Sequence, residues 1–389
     1  VFPSFSLGTR IFADVPAQRV LPDELKRLGA KRVLIVSDQG VLKAKLLPAI
    51  EEAVGSVCEL VGVFAEVMQD PTVDIMNLAG KRCRDEAIDI IVAVGGGACL
   101  DAAKGAALVA TSGQSIAACV GEDKVTVPPL PVIAIPTTAG TGSEVSWHIS
   151  VNDIERELKV TVRSPMAVAA SAILDPAMIA TVPPMVAAAA GMDALTHSLE
   201  SYVGNVGRWD MTDALGLHAC EMIGRSMVPY WNDPTGRHHA SQMLMASCFG
   251  GIALSHSRTG VVHQMARPLG ALFHVPHGLA NAVLLPWCLE VTHRSDPARF
   301  AKLAAALGES IEGLTELEAA ARAVSAVRRM NRAVRIPGSL REFGVTESAI
   351  ERMAVDALQG KASVTNPCVI TKEEVMNIYR QALRGDSDV

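Results

Sequence analysis

The run Ile88-Asp89-Ile90-Ile91-Val92-Ala93-Val94, followed at once by Gly95-Gly96-Gly97-Ala98-Cys99-Leu100-Asp101-Ala102-Ala103-Lys104, narrows the choice of folds more than any other feature. A nearly continuous apolar run bounded by glycine reads as a strand buried on both faces, the condition of a parallel sheet. A three-glycine turn that then opens a helix lets the backbone approach a ligand. It also presents the unpaired N–H groups and the positive dipole end of a helix N-terminus. A phosphate or pyrophosphate suits such a turn, although the same turn also occurs with nothing bound. The strand pattern recurs at Arg32–Ser37, Cys58–Phe64 and Pro131–Pro136, with a helical pattern over 41–54 and a second helix opening at Asp70-Pro71-Thr72. Strand–helix alternation predicts a parallel sheet with crossover helices.

Beyond residue 180 the pattern changes. Pro183-Pro184 opens a stretch rich in Ala, Met and Leu, and helical periodicity dominates over 186–203, 211–227, 237–252, 300–306, 317–330, 347–358 and 372–383. The 389 residues, at about 150 per domain, thus divide into an α/β domain over 1–180 and an all-helical domain over 181–389. Hydrophobic residues make up 49% and charged residues 20%, enough for a large core and too apolar for wholesale disorder. The net charge is −6 and aromatics are 4%, so a nucleic-acid partner is not expected. No apolar run is long enough to span a membrane, and the N-terminus lacks signal-peptide regions. The eight cysteines form no C-x-x-C pair and read as reduced thiols, which predicts a cytoplasmic protein.

Three further segments carry chemistry. Pro136-Thr137-Thr138-Ala139-Gly140-Thr141-Gly142-Ser143-Glu144-Val145-Ser146 follows a strand, and its small residues and hydroxyls suit hydrogen bonds to a cofactor, or simply a polar surface loop. Two such loops at strand ends mark where an open α/β sheet places its ligand. Asp193 and His197 are four apart on a helical pattern, so they share a face. His263 and His277 follow, in a stretch punctuated by Pro268, Gly270, Pro276 and Gly278. One Asp with three His suits Fe(II) or Zn(II), but any one of these histidines taken singly reads as a core or surface residue. His218, His238, His239 and His293 keep that plainer reading.

Taken in order, Gly95-Gly96-Gly97-x-x-x-Asp101-x-x-Lys104, the Pro136–Glu144 loop, Gly191-Met192-Asp193-Ala194-Leu195-x-His197, and Pro268-Leu269-Gly270 with Pro276-His277-Gly278-x-Ala280-Asn281 resemble the iron-containing (group III) alcohol dehydrogenases. The resemblance runs end to end, to Thr365-Asn366-Pro367 and the closing helix. It implies a Rossmann-like dinucleotide-binding α/β domain, an all-α C-terminal domain as in the related dehydroquinate synthase fold, and an active site between them. It also implies metal ligands at Asp193, His197, His263 and His277, pyrophosphate contacts at Gly96 and Gly97 in the motif that includes Asp101, and nicotinamide-side contacts at Thr137, Thr138, Thr141 and Ser146. Lys159 matches a lysine near the cofactor. Asp38 matches the acidic position that accepts from a ribose 2′-OH, favouring NAD(H) over NADP(H). A homodimer or larger homo-oligomer is the family's habit.

The departures from the family pattern bear on substrate. Arg267 stands where the family usually carries a second histidine in H-x-M-A-H-P-L-G, and Ser255-His256-Ser257-Arg258-Thr259-Gly260 replaces a small, neutral run. Arginine cannot relay a proton at neutral pH, but its fork matches a carboxylate, phosphonate or sulfonate. The expected activity is reversible reduction of a short aldehyde to its primary alcohol by NAD(H) with Fe(II), or with Zn(II) or another divalent metal. Arg267, His256 and Arg258 would hold an anionic tail, as in phosphonoacetaldehyde, sulfoacetaldehyde or succinic semialdehyde. His274 is one route for the proton; a cofactor ribose hydroxyl with water is another. The alternatives are a broad-range dehydrogenase of neutral alcohols and diols, in which Arg267 is structural, a dehydroquinate synthase-like lyase, and a non-catalytic binding protein.

Overall fold

β-branched residues fill the central strands, which the fold buries on both faces. In the computed structural model, which describes residues 4–154, 158–359 and 365–385, six strands form one all-parallel sheet. They are β1 (Arg10–Ala13), β2 (Arg32–Val36), β3 (Glu59–Phe64), β4 (Ile90–Gly95), β6 (Val132–Pro136) and β9 (Ser171–Leu174). A smaller sheet joins β5 (Gly121–Glu122), β7 (His148–Asp153) and β8 (Leu158–Arg163), with β7 and β8 antiparallel.

The large sheet runs β1-β9-β6-β4-β2-β3. The chain steps outward from β2 to β3, then returns to β4 on the other side of β2 and continues to β6. The direction of winding therefore reverses between β2 and β4, and the crevice outside the carboxyl ends of those strands is where such sheets bind ligands. Alternation along the strands feeds two cores. Leu34, Val36, Ile91, Ala93, Val132 and Ala134 pack with α4 (Val73–Asp85) and α5 (Gly97–Ser112). Val33, Ile35, Ile90, Val92, Ile133 and Ile135 pack with α1 (Ala17–Leu28) and α3 (Pro48–Gly55). The helix expected over 41–54 is instead two helices. The short α2 (Gln39–Lys43) ends before Lys45, which takes a left-handed φ of 57°, and α3 restarts at Pro48, whose missing N–H cannot continue a helix.

The rest of the chain is helical: α6 (Pro184–Val203), α7 (Asp210–Asn232), α8 (Arg237–His256), α9 (Val261–Phe273), α10 (His277–Thr292), α11 (Pro297–Ala306), α12 (Glu316–Ala333), α13 (Ile350–Leu358) and α14 (Lys372–Arg384). The compact units are Ser6–Val182 with Thr235–Cys248, and Pro183–Pro234 with Phe249 onward and the N-terminal residues through Phe5. The first part of α8 therefore counts with the α/β unit although it lies deep in the helical half of the sequence. The punctuated stretch around His263 and His277 is two helices, with Pro268 inside α9 and Pro286 inside α10. An internal proline costs a helix about 3 kcal/mol. Burial of most of α9 and most of α10 outweighs that cost. Among the described residues no helix is long and apolar enough to cross a membrane.

Candidate metal centre and dinucleotide cradle

Within the helical unit, α6 presents Asp193, His197 and Glu200 at i, i+4 and i+7, one face of one buried helix. α9 contributes His263 from its first turn, and α10 begins at His277. These helices bring the ligating atoms of Asp193, His197, His263 and His277 within 4.8 Å of one another. Asp193 Oδ2 lies 3.8 Å from His197 Nδ1, and its Oδ1 lies 3.8 Å from His263 Nε2 and 3.7 Å from His277 Nε2. The His197 and His263 rings stack with centroids 4.5 Å apart. Burial alone would raise the Asp193 pKa, but His197, His277, His263 and the Asn281 amide together hold it below the usual carboxylate range.

The donor set fits a divalent cation. Bonds of about 2.0–2.2 Å to one central ion put its ligand atoms roughly 3–4 Å apart. The ring nitrogens sit at that spacing from the carboxylate, too far for hydrogen bonds. His263 Nε2 is buried and has no hydrogen-bond partner among the described residues.

Outer partners hold this cluster, and the sequence reading missed them. Asn281, one turn after His277, donates Nδ2 to Asp193 Oδ1 at 2.7 Å. Glu200 accepts from His263 Nδ1 at 2.6 Å, from Gly260 N at 2.7 Å and from Val262 N at 2.8 Å. None of the described hydrogen bonds of Asn366 reaches the four candidate ligands: its Oδ1 accepts from Val261 N at 2.7 Å and so caps the first turn of α9. Gly260 must be glycine here, because a Cβ would lie 2.8 Å from both Asn366 Oδ1 and Glu200 Oε1. Heptad spacing from Asp193 to Glu200 on a helix was the available signal for Glu200. Nothing local to residue 366 marks its role.

The other residues expected at the substrate end do not behave alike. Arg267 lies one turn after His263, so the two share a face of α9 and the arginine side chain leans back toward the ligand turn. It is exposed, and its guanidinium makes no hydrogen bond or ion pair among the described residues. Desolvation draws its pKa down against the opposing charge of Glu200. His256 is engaged differently: its Nδ1 lies 2.9 Å from the Ile252 carbonyl and its ring stacks on Phe5 at 4.4 Å. Arg258 is half-buried and already has a partner. His274 caps α9 in the left-handed region, φ 54°, and is exposed.

In the α/β unit, the Gly95–Gly97 turn and the Thr137–Ser146 loop follow adjacent strands β4 and β6. Thr137 N donates to Gly95 O at 2.9 Å. A Cβ on Gly97 would lie 2.5 Å from Thr141 Cγ2, and one on Gly96 would lie 3.3 Å from Thr138 Oγ1. The two loops therefore touch, and Gly96 caps the N-terminus of α5 without a side chain. Asp38 follows β2 and caps α2: its Oδ1 accepts from Val41 N at 2.8 Å and its Oδ2 from Cys99 Sγ at 3.1 Å. Asp101 has both oxygens in an internal network, accepting from Ser143 Oγ and from Ser150 N at 2.9 Å and pairing with Lys104. Lys104 is buried, with Nζ donating to the carbonyls of Ser143 (3.0 Å), Ser146 (3.1 Å) and His148 (2.6 Å). Beside it, burial pushes the Glu144 carboxyl up to about 7. Lys159 pairs with Asp70 at 2.9 Å on the smaller sheet, and no described hydrogen bond or ion pair links it to either loop.

The family model for iron-containing alcohol dehydrogenase matches residues 8–176, and the model for the C-terminal part of the Fe-containing alcohol dehydrogenase family matches 187–383. The chain belongs to the iron-containing alcohol dehydrogenase family. It is 36% identical to long-chain-alcohol dehydrogenase 1 of Geobacillus thermodenitrificans over 94% of this chain and 93% of that one. It is 31% identical to lactaldehyde reductase of Escherichia coli over 93% and 94%. A crystal structure of 1,3-propanediol oxidoreductase superposes with a TM-score of 0.93 at 33% identity, covering 98% and 100% of the two chains. As a member of this family the protein is a metal-dependent oxidoreductase of alcohols and aldehydes, with iron as the family's metal.

Proposed function

We propose that the enzyme reduces a short aldehyde carrying an anionic tail to its primary alcohol, with NADH as hydride donor. The α/β region over 1–180 would bind the dinucleotide and the helical region over 181–389 would hold the metal and substrate. The observation that carries the anionic reading is Arg267: an always-charged fork with no hydrogen bond or ion pair among the described residues, one helical turn from the candidate ligand His263.

Asp193, His197, His263 and His277 would hold the metal, whose contribution when bound is Lewis-acid polarisation of the substrate oxygen. The amides at Gly96 and Gly97 and the N-terminus of α5 receive the pyrophosphate. Thr137, Thr138, Thr141 and Ser146 fix the nicotinamide side, and the Lys104 network holds the segment carrying Thr141 and Ser146 still. Asp38 accepts from the ribose 2′-OH and repels a 2′-phosphate, which selects NAD(H). Arg267 grips the anionic tail and so orients the carbonyl carbon toward the incoming hydride. A guanidinium keeps its proton, so the alcohol's proton comes from elsewhere. His274, exposed at the end of the same helix, is one candidate source, and a cofactor ribose hydroxyl with water is the other.

The second reading is a broad-range dehydrogenase of neutral alcohols and diols. The relatives' names, which speak of long-chain alcohols, lactaldehyde and propanediol, favour it. The two are separated by NADH oxidation with the Fe(II)-loaded enzyme on phosphonoacetaldehyde, sulfoacetaldehyde, succinic semialdehyde and propanal, with Arg267→Ala alongside. The anionic reading expects a preference of about 100-fold in kcat/KM, roughly 2.7 kcal/mol, that the variant loses. Equal rates on propanal and no effect of Arg267→Ala sink it in favour of the neutral one.

A further inference from the structure

We infer that Glu200 is a positioning residue that fixes which nitrogen of His263 carries the proton, and thereby makes His263 a ligand. The inference rests on the reading of Asp193, His197, His263 and His277 as the metal site.

Glu200 is buried on α6, three residues after His197, and three N–H groups converge on its two oxygens. Gly260 N and His263 Nδ1 reach Oε2 at 2.7 and 2.6 Å, and Val262 N reaches Oε1 at 2.8 Å. Two of these donors are backbone amides and can only donate. A carboxylate is acceptor-only, so the third contact is satisfied only if His263 Nδ1 also carries hydrogen. A neutral imidazole protonated at Nδ1 has its lone pair at Nε2. That is the atom facing Asp193 at 3.8 Å with no hydrogen-bond partner among the described residues. The backbone of α9 thus anchors the carboxylate, and the carboxylate sets the tautomer of a ring on that same helix. Such outer-shell partners hold a ligating histidine in orientation and raise its basicity.

Glutamine at this position has one acceptor oxygen and an NH2 in place of the second. Whichever way the amide turns, a donor faces a donor at Gly260 and His263 or at Val262. The ring then escapes the clash by moving its proton to Nε2, where it blocks coordination. Glu200 also caps the first turn of α9, so loss of a cap must be told apart from loss of the tautomer. Asn366 provides the control. It caps the same turn through Val261 N at 2.7 Å, and none of its described bonds goes to the histidine.

The test measures Zn(II) affinity by chelator competition and the visible spectrum of the Co(II)-loaded protein for wild type, Glu200→Gln, Asn366→Ala and His263→Ala. Expected are a 10–100-fold weaker affinity and a shifted Co(II) spectrum for Glu200→Gln. Asn366→Ala should be less stable but bind within about threefold of wild type. Equal losses in Glu200→Gln and Asn366→Ala mean capping alone and overturn the inference. Wild-type affinity in Glu200→Gln overturns it too. If His263→Ala binds as wild type does, the metal-site reading itself fails and the inference with it. 15N NMR of the histidine rings in the metal-free wild-type protein needs no Glu200 variant, since the His263 signal is identified by its loss in His263→Ala. Protonation at Nδ1 supports the assignment, and protonation at Nε2 refutes it.

Discussion

Replacing Lys104 with methionine keeps the length of the stem and removes the charge, and the structure sets the size of the effect. Nζ lies 2.6–3.1 Å from three carbonyl oxygens of the 143–148 segment and 3.2 Å from Asp101 Oδ1, and the side chain is 2% exposed. Burial lowers its pKa, and Asp101 opposes that. Lys104→Met leaves three carbonyls without their donor and strands a half-buried carboxylate. Breaking one partner of a buried pair costs about 3–5 kcal/mol. In a unit of this size each kcal/mol lowers the melting temperature by about 2–4 °C, so a drop of roughly 6–20 °C is expected. Hydrogen exchange should quicken first across residues 143–150, and KM for NADH should rise because Thr141 and Ser146 lose their anchor. Adding Asp101→Asn should cost less than the sum of the single changes, since no unpaired charge then remains. A drop below about 2 °C with unchanged exchange at 143–150 would refute the claim that Lys104 ties this loop to α5.

Three other outcomes follow from the same geometry. Glu144 has its folded pKa raised from 4.5 to about 7, so the folded state binds more protons between those values. Stability therefore falls as pH rises from about 4.5 to 7 and stays lower above, by about 3 kcal/mol at most. Glu144→Gln should flatten that fall in urea titrations, and an unchanged pH profile would contradict it. Gly97→Ala puts a Cβ 2.5–2.9 Å from three Thr141 side-chain atoms, so KM for NADH should rise roughly tenfold, about 1.4 kcal/mol. The same clash should lower the melting temperature, and Thr141→Gly in the same chain should restore part of that loss; no recovery in thermal unfolding would mean that the clash lies elsewhere. Fe(II) at 100 times its Kd should stabilise the protein by about 2.7 kcal/mol. His197→Ala should abolish that increment in thermal unfolding, and its persistence would place the ion elsewhere.

Sequence alone determined the parallel sheet and the chemical character of the site. The strand at Ile90–Gly95 and its glycine turn are written in consecutive residues, because a doubly buried strand must be apolar throughout and a ligand-approaching turn must lack side chains. The i,i+4 pair Asp193–His197 was legible for the same reason: a helix turns local spacing into a shared face. The strands over 148–174 were not seen, and neither were α9 and α10. Pro268 and Pro286 argue against helix locally, and only burial against neighbouring helices overrides them.

What tertiary structure decided is which polar groups meet. Glu200 lies 60 residues or more from the three N–H groups it accepts, and Asn366 lies 105 from Val261. Asp101 matched a motif expected at the cofactor, yet its oxygens go to Ser143, Ser150 and Lys104, because a carboxylate at that depth needs donors and these lie nearest. His256 and Arg267 looked alike in sequence as added donors, but one ring nitrogen of His256 lies against a backbone carbonyl, while the Arg267 fork has no hydrogen bond or ion pair among the described residues. Residue type and local spacing fix what a side chain can do. Hydrogen-bond satisfaction across distant segments fixes what it is left free to do, and that depends on contacts no local pattern encodes.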